Sequence, residues 1–471
     1  MIIEVGPEDR DRTFQVERRS IDPVPDAERH GTARGLFPVW FGANQQLTAV
    51  VTGALAPAIG LSLPYGLAAI VLGNVFGAIF MALHSAQGPK LGIPQMIQSR
   101  AQFGFYGAIL PILLVVLMYV GFFASSGVLG GDAFAHAVHI GPTWGIIVVA
   151  VICVVVTVYG YRLIHRLERF SSSISTLAFA YLTVALLTSR DLSGLWHAGH
   201  FSPGVFLLMV AIAGTWQLSY APYVADYSRY LPERTPVGSC FWWTYAGSNV
   251  ASIWMMAFGA LVVGIAPTAF DNGSTSYVLG LAPGGTAWLF GLVLALGVIA
   301  VNVLNLYGAF MSVVTTATAI KPFRVTRTTR ATVVTVIGVL GTIIAIVGRT
   351  SFLTTYEDFI LFLTYFLVPW TSINLVDFYL VRRERYDILA IFEKRGLYGT
   401  MNWRALGVYA AGVIVEVPFM STSFYTGPMV GRLGGADISW ILGLIVSSVA
   451  YYLVMRDVAT REHPVVPAPR A

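Results

Sequence analysis

The stretch Leu36–Gly60, LFPVWFGANQQLTAVVTGALAPAIG, is a long apolar segment that the polar run Asn44-Gln45-Gln46 interrupts near its middle. A bilayer offers no water to the backbone, so polar or unwound stretches at that depth persist only where they line a cavity or are buried in protein. A second segment, residues 203–225, carries a comparable interruption at residues 214–217, Gly-Thr-Trp-Gln. Interruptions at corresponding places in two halves of a chain indicate the substrate site of an inverted-repeat transporter.

The composition predicts an all-α integral membrane protein. Hydrophobic residues make up 56% of the chain and charged residues 11%, whereas soluble domains carry about 25% charged residues. A membrane-spanning helix needs ~20 apolar residues, and the strand alternation of a β-barrel is not seen. Twelve transmembrane helices are predicted, at 36–60, 64–86, 108–131, 143–161, 171–188, 203–226, 242–266, 286–312, 331–348, 359–381, 404–423 and 438–455.

The distribution of Lys and Arg predicts the orientation of these helices. On this topology 26 of them fall on one side of the membrane and only 3, Arg190, Arg349 and Arg432, on the other. Basic residues concentrate on the cytoplasmic side, so we predict cytoplasmic N and C termini in a multi-pass protein of the plasma (inner) membrane. The net charge of +5 follows from this bias, and nucleic acid is not predicted as a partner.

Polar and aromatic residues on four predicted helices fall near one depth. Amides are costly in hydrocarbon without partners, so their convergence predicts a shared pocket, although single residues could instead join neighbouring helices. The candidates for substrate binding are Asn44, Gln45 and Gln46 on helix one, Phe122 and Ser126 on helix three, Trp216, Gln217 and Ser219 on helix six, and Asn302 and Asn305 on helix eight.

The chemistry of these side chains indicates the kind of substrate. Carboxamides offer a donor and an acceptor that match the edge of a flat heterocycle, and aromatic faces stack on its ring. Neither Lys nor Arg lies at this depth. A neutral, planar small molecule is therefore predicted, rather than a carboxylate or a phosphate.

Several stretches resemble the nucleobase–cation symporter family, in its purine–cytosine permease branch. They are GPKLGIPQMIQSRAQFGFYGA (Gly88–Ala108), GYRLIHRLERF (Gly160–Phe170), YVADYSRYLP (Tyr223–Pro232), NVLNLYG (Asn302–Gly308) and VPWTSINLVDFYLVRRERYD (Val368–Asp387). The resemblance runs from about Val24 to Met455. It implies a LeuT-type 5+5 inverted repeat plus two C-terminal helices, and import of cytosine, a purine or a related heterocycle with a cation by alternating access.

With this resemblance the chain divides into five parts. Residues 1–35 and 456–471 are predicted to be cytoplasmic tails. Residues 36–188 would form the first repeat, residues 203–381 the inverted second repeat, and residues 404–455 the two additional helices. The expected partners are a heterocyclic substrate, a coupling cation and the lipid bilayer, and the expected assembly is a monomer or weak oligomer without a cofactor.

The sequence departs from the family at two places in the site. Family members place a Trp on helix three and an Asn or Gln four residues later, where this chain has Phe122 and Ser126. The second family aromatic corresponds to Trp216, or to Gln217 if the register shifts by one residue. A helix-eight Asn corresponds to Asn302 or Asn305. The smaller platform leaves open another nitrogenous substrate, such as allantoin, a hydantoin or a vitamin precursor.

The resemblance also bears on the coupling ion. Sodium-coupled members use helix-one carbonyls, here near Ala43 and Gln46, and a hydroxyl pair on helix eight. Counted from Asn302, that pair would be Asn305 and Leu306, so H⁺ is favoured over Na⁺. The alternative is that Thr315 or Thr316 supplies the missing hydroxyl.

Glu416 is the candidate proton site, because an acid inside a membrane helix is a functional candidate by default. Its helix lies outside the 5+5 core, so a structural bond or an oligomer contact is an equal alternative. Asp226 lies near a helix end and is predicted to be an interfacial anchor. A channel would need a polar stripe, an enzyme a nucleophile or metal constellation, and a pump a Walker motif; none is recognised in the sequence.

Overall fold

The computed structural model describes residues 22–159, 161–196, 201–321, 323 and 325–458, with the side chains of residues 161–169 excluded. Most of the predicted N-terminal tail, and the C-terminal tail from residue 459, lie outside this range. The described chain is helical, and its one isolated β-bridge joins Ser421 to Thr426.

The first half of the chain begins with a broken helix. Two short helices, α1 and α2, are separated at Asn44–Gln46, as predicted. The helices of this half are α1 (Leu36–Ala43), α2 (Leu47–Ala58), α3 (Leu63–Ser85), α4 (Gln87–Leu91), α5 (Gln95–Phe103), α6 (Ile109–Val138), α7 (Pro142–Tyr159) and α8 (Tyr161–Ser189).

The second half begins in the same way. Its helices are α9 (Pro203–Leu218), α10 (Ala221–Ser228), α11 (Val237–Ile265), α12 (Ser276–Leu279), α13 (Ala287–Ile320), α14 (Arg327–Gly348), α15 (Phe352–Val376), α16 (Trp403–Glu416) and α17 (Ser439–Met455). A π-helical turn, Asp377–Val381, extends α15.

The second helix break lies C-terminal to its predicted position. Residues 214–217 are helical, and the chain leaves the helix only at Ser219 and Tyr220. The cause is Pro222, which lies in the first turn of α10. Proline lacks the N–H for the intrahelical hydrogen bond and its ring collides with the carbonyl four residues earlier, so the helix must restart just before it.

The broken helix α1–α2 is held close to α11 by two glycines. A Cβ at Gly53 would collide with the carbonyl oxygen of Met256, and a Cβ at Gly259 with that of Val50. Small residues allow this backbone approach between membrane helices. The contact fixes the position of the first break relative to α11.

The predicted loop after helix two is folded and buried. Every residue of α5 is buried although its sequence, QMIQSRAQF, is mostly polar. The side chain of Gln95 donates to Gln87 Oε1 at 2.8 Å and contacts His84 Nδ1 at 3.1 Å, and Gln87 donates to Asn374 at 2.8 Å. These bonds tie α5 to α3, α4 and α15, so the segment forms one end of the bundle.

By length and composition, eight helical stretches of the described residues can cross a membrane. One of them, Arg327–Val381, contains two predicted spans, and α2 and α17 are shorter apolar helices. Helix α16 ends at Glu416 rather than near residue 423, because Pro418 follows in a 3₁₀ turn, Val417–Phe419. The count of twelve spans stays a prediction.

Candidate functional site

A cavity of about 300 Å³ lies between the two helix breaks, α6, α8 and α13. The cavity runs along α13 from Gly297 to Thr315, a length of about 27 Å at 1.5 Å per residue. Its far end reaches Met96 of α5 and Arg229. The cavity therefore extends from mid-depth towards the side that the basic residues predict to be cytoplasmic. Its volume falls at the lower limit of known ligand pockets, about 300–1,000 Å³.

Gln45, in the first helix break, lines this cavity and has an unbonded amide. Its side chain is only 2% exposed and lines the cavity. Neither Nε2 nor Oε1 has a hydrogen-bond partner within the described residues. Leaving such a group unbonded costs ~1–3 kcal/mol. A bound ligand that offers one acceptor and one donor would remove this cost.

Trp40 is a second unbonded donor, which the sequence analysis missed. Its Nε1 has no hydrogen-bond partner in the described chain, and its ring lines the cavity. The ring packs against Tyr220 and Tyr227, with centroids 5.5 and 5.2 Å away. Its position on α1, the short helix that ends at the first break, was the available signal.

Asn44 joins the two helix breaks and does not line the cavity. Its Nδ2 donates to the carbonyl of Trp40 at 2.7 Å and to Ser248 Oγ at 3.1 Å. Its Oδ1 accepts from Trp216 Nε1 at 2.6 Å and from the hydroxyl of Tyr220 at 3.2 Å. Asn44 is therefore a scaffold residue.

Gln217 is a scaffold residue too. Its Nε2 donates to Asn74 Oδ1 at 2.8 Å and to Ser252 Oγ at 2.6 Å, while its Oε1 accepts from Ser248 Oγ at 2.6 Å. The side chain is fully buried and does not line the cavity. The one-residue shift that would place Gln217 in the pocket therefore disagrees with this geometry.

Gln46 lines the cavity but uses its amide to close the first break. Its Nε2 donates to the carbonyl of Ala43 at 2.9 Å, and its Oε1 accepts from Thr48 Oγ1 at 2.7 Å. The hydroxyl of Tyr220 also approaches Ala43 O, at 3.4 Å. The helix-one carbonyl expected to bind sodium thus already accepts from Gln46, and the single hydroxyl proton of Tyr220 is shared between this carbonyl and Asn44 Oδ1.

The two asparagines of α13 differ in position, since Asn305 lines the cavity and Asn302 lies behind its wall. Asn302 accepts from Ser126 Oγ at 2.5 Å and donates to the carbonyl of Phe123 at 3.1 Å. Asn305 donates to Asn302 Oδ1 at 3.3 Å. Ser126 and Asn305 line the cavity, whereas Asn302 lies behind them. Asn305 is therefore the α13 amide placed to contact a ligand.

Phe122 and Trp216 are two of the aromatic residues that line the cavity. Their rings meet edge to face, with centroids 5.9 Å apart, and Phe122 packs likewise on Phe359 at 5.1 Å. Ser219 lines the cavity too and donates to the carbonyl of Trp216 at 2.7 Å. Tyr119 and Tyr223, which the sequence analysis did not select, line the cavity nearby.

The charged side chains that line the cavity, among the described residues, are Asp226 and Arg229. Asp226 lies on α10, and Arg229 directly follows it. Among the described cavity residues, none at the level of Gln45 and Trp216 carries a formal charge. Glu416 does not line the cavity; it is buried between α16 and α17, with its carboxylate against Gly443.

Two comparisons by sequence identify relatives of this chain. Residues 23–443 match the sequence model of a family described as permeases for cytosine/purines, uracil, thiamine and allantoin. A Bacillus subtilis protein, provisionally named purine-cytosine permease YxlA, is 45% identical over 443 residues, which cover 94% of this chain and 96% of that protein. Purine-cytosine permease fcyB of Emericella nidulans is 27% identical, over 93% of this chain and 88% of its own length.

The fold has a close relative among solved structures. The inward-facing conformation of Mhp1 superposes with a TM-score of 0.77 at 21% sequence identity, over 96% of each chain. This similarity confirms the LeuT-type fold that the sequence resemblance implied.

Proposed function

This chain belongs to the family of permeases for cytosine/purines, uracil, thiamine and allantoin, and we propose that its cavity carries a neutral, planar nitrogen heterocycle into the cell together with a proton. It is a nucleobase-type symporter working by alternating access, and not an enzyme. A nucleobase such as cytosine or a purine is the proposed substrate.

The observation that carries this proposal is the unbonded amide of Gln45 in an aromatic cavity. An amide edge supplies one donor and one acceptor side by side. Nucleobases carry complementary groups, for example the amino donor of cytosine or the O6 acceptor of guanine. The Trp40 N–H adds a second donor. The absence of formal charge at this level, among the described residues, disfavours anionic ligands.

The departures at Phe122 and Ser126 favour one alternative, another small nitrogenous compound such as allantoin, a hydantoin or a vitamin precursor. A Phe wall offers a smaller stacking surface than a Trp wall. Ser126 is already bonded to Asn302. Both features would suit a less extended ring than a purine.

Proton coupling is supported by the surroundings of the first break. The Ala43 carbonyl is occupied by Gln46 and approached by Tyr220, so an ion there would have to displace these donors. Thr315 lines the cavity, but ten residues of helix separate it from Asn305, about 15 Å. A sodium ion bound by few oxygens would not recover its dehydration cost.

The test of the substrate is a binding panel on the purified protein. Cytosine, uracil, adenine, hypoxanthine, allantoin, hydantoin, thiamine and pyridoxine are compared by quenching of Trp fluorescence and by thermal shift, with orotate as an anionic control. We expect at least one neutral heterocycle to bind and Gln45→Ala to weaken its binding. Asn249→Ala is the matched control, because Asn249 is a buried amide outside the cavity. Selective binding of orotate, or equal effects of both variants, would refute the assignment.

The orientation in the plasma membrane has its own test. Native Cys153 and Cys240 are buried and give a low labelling background. We expect an impermeant maleimide applied from outside to label a cysteine at Gly284 and not one at Thr328. Both positions are exposed, and a Cβ at Gly284 meets no other atom. The reverse labelling pattern would invert the proposed orientation.

A further inference from the structure

Resting on the proposed transport function, we infer that Asp226 is the group that binds the coupling proton and that it links this proton to the inner end of the cavity. Asp226 is the one carboxylate among the described residues that line the cavity. It lies on α10, which begins directly after the second helix break. The carboxylate thus follows the second break by less than two turns of helix.

Asp226 also contacts the segment that closes the inner end of the bundle. The backbone N–H of Gln95 donates to Asp226 Oδ1 at 2.7 Å. Gln95 is the first residue of α5, and a helix N-terminus stabilises a nearby anion. Met96 and Ile97 of α5 line the cavity beside it. The carboxylate is therefore a bridge between α10 and α5, and its charge strengthens that bridge.

Other ionisable groups surround this bridge. The carboxylate makes further polar contacts, and its place in the cavity, not a missing partner, distinguishes it from the other acids. On α3, His84 contacts the side chain of Gln95, and on α4, Lys90 lies 4.0 Å from Glu384. Among the described residues, the ionisable groups that share the cavity wall with Asp226 are Tyr119 of α6, Tyr307 of α13, Tyr220 of the second break, and Tyr223, Tyr227, Arg229 and Tyr230 of α10 and the turn after it.

The proposed cycle moves one proton with each substrate. In the outward-facing state a proton from external water binds the Asp226 carboxylate and forms the neutral acid. Loss of the negative charge weakens the hydrogen bond from Gln95 and the attraction to the α5 N-terminus. The inner end can then open, and the proton leaves to cytoplasmic water. Asp226 returns to the anion, which restores the bridge to α5.

Glu416 supplies the matched control. Its side chain is fully buried, and neither carboxylate oxygen has a hydrogen-bond partner in the described chain. It faces Gly443 of α17, away from the cavity. Glu416→Gln therefore replaces a buried acid by its neutral isostere without touching the proposed proton path.

The test compares Asp226→Asn and Glu416→Gln with the unmodified protein in proteoliposomes. Two activities are measured: accumulation of substrate driven by a pH gradient, and exchange of labelled for unlabelled substrate without a gradient. We expect Asp226→Asn to retain exchange within about threefold and to lose accumulation completely, with an inside-to-outside ratio of 1. Exchange without a gradient needs no net proton movement, so it reports an intact fold. Glu416→Gln should retain both activities.

Several outcomes would overturn the assignment. Accumulation by Asp226→Asn equal to that of the unmodified protein would exclude Asp226 as the proton site. Loss of both exchange and accumulation, with substrate binding preserved, would mean that Asp226 is only a structural latch. If Asp226→Asn cannot be purified, Asp226→Glu decides: a shifted pH profile of accumulation supports the proposal, and an unchanged profile refutes it. Uptake driven by Na⁺ alone refutes proton coupling but not heterocycle transport, whereas no binding of any heterocycle refutes the transport proposal itself.

Discussion

Gln45 and Gln217 are the same residue type, both are buried, and each lies at or near a helix break, yet their environments differ. Gln217 makes three hydrogen bonds to side chains of α3 and α11. The side chain of Gln45 makes none to any residue that the structure describes, and it lines the cavity. The satisfied amide of Gln217 holds helices together, whereas the unsatisfied amide of Gln45 belongs to the cavity lining, where we propose that a ligand bonds to it. The difference separates the scaffold of the site from its binding surface.

The largest expected effect comes from removing the scaffold amide. Gln217→Ala removes three buried hydrogen bonds. It leaves Asn74 Oδ1 without its donor and the Ser248 hydroxyl without its acceptor, whereas Ser252 still donates to the carbonyl of Ser248. Each buried group that loses its partner costs ~1–3 kcal/mol, so the loss of stability should reach about 2 kcal/mol or more. We expect a clear fall of the unfolding temperature and a lower yield of monodisperse protein. An unfolding temperature equal to that of the unmodified protein would contradict the scaffold role.

Gln45→Ala should give the opposite result. It removes an amide that bonds to no described residue, so the unfolding temperature of the ligand-free protein should not fall. Loss of its contacts to a ligand should cost ~1–3 kcal/mol of binding free energy, or roughly ten- to hundredfold in Kd. Fluorescence titration measures the Kd, with Asn249→Ala as the control. Unchanged affinity with reduced stability would reverse the two roles.

The helices themselves could be predicted from sequence because apolar length is a direct requirement of the bilayer. Two features could not. Helix α5 is polar and its sequence predicts a loop, but each of its three glutamines has at least one hydrogen-bond partner, and for Gln102 that partner is the distant Asp377. The sequence predicts the second break at residues 214–217, where the polar side chains lie, although the backbone breaks next to Pro222.

The sequence predicted which residue types form the site, but it did not predict which of them line the cavity and which hold the helices together. Sequence places Gln45 and Gln217 at similar depths, but only the packing decides which amide finds partners. The same holds for the acids. Glu416 was selected because it lies deep in a helix, yet it faces α17, whereas Asp226, which was assigned to the interface, lines the cavity. Depth in a segment can be estimated from sequence, and the direction of a side chain across a bundle cannot.

Trp216 and Trp40 both line the cavity and differ as the two glutamines do, because one indole N–H has a hydrogen-bond partner and the other has none among the described residues. The Trp216 N–H donates to Asn44 at 2.6 Å. Trp216→Phe keeps an aromatic wall but removes this bond, which should lower the free energy of unfolding by ~1–1.5 kcal/mol. Asn44 retains the Tyr220 hydroxyl as a donor, so the effect should stay below that of Gln217→Ala. A chemical or thermal unfolding curve measures this loss. A change in the free energy of ligand binding that exceeds the change in the free energy of unfolding would contradict the scaffold role of this bond.

The smallest effect is expected at the other indole, Trp40. Its N–H has no partner among the described residues, and its ring packs on Tyr220 and Tyr227. Trp40→Phe keeps that packing and removes only a donor, so the ligand-free stability should be unchanged. A ligand that bonds to this N–H should lose ~1 kcal/mol, about fivefold in Kd. The test is sharper with two ligands that differ only in a ring carbonyl. The ligand with this acceptor should bind the variant more weakly than the unmodified protein. Its analogue without the acceptor should bind both proteins with equal affinity. Equal losses for both members of the pair would mean that Trp40 contributes only its ring.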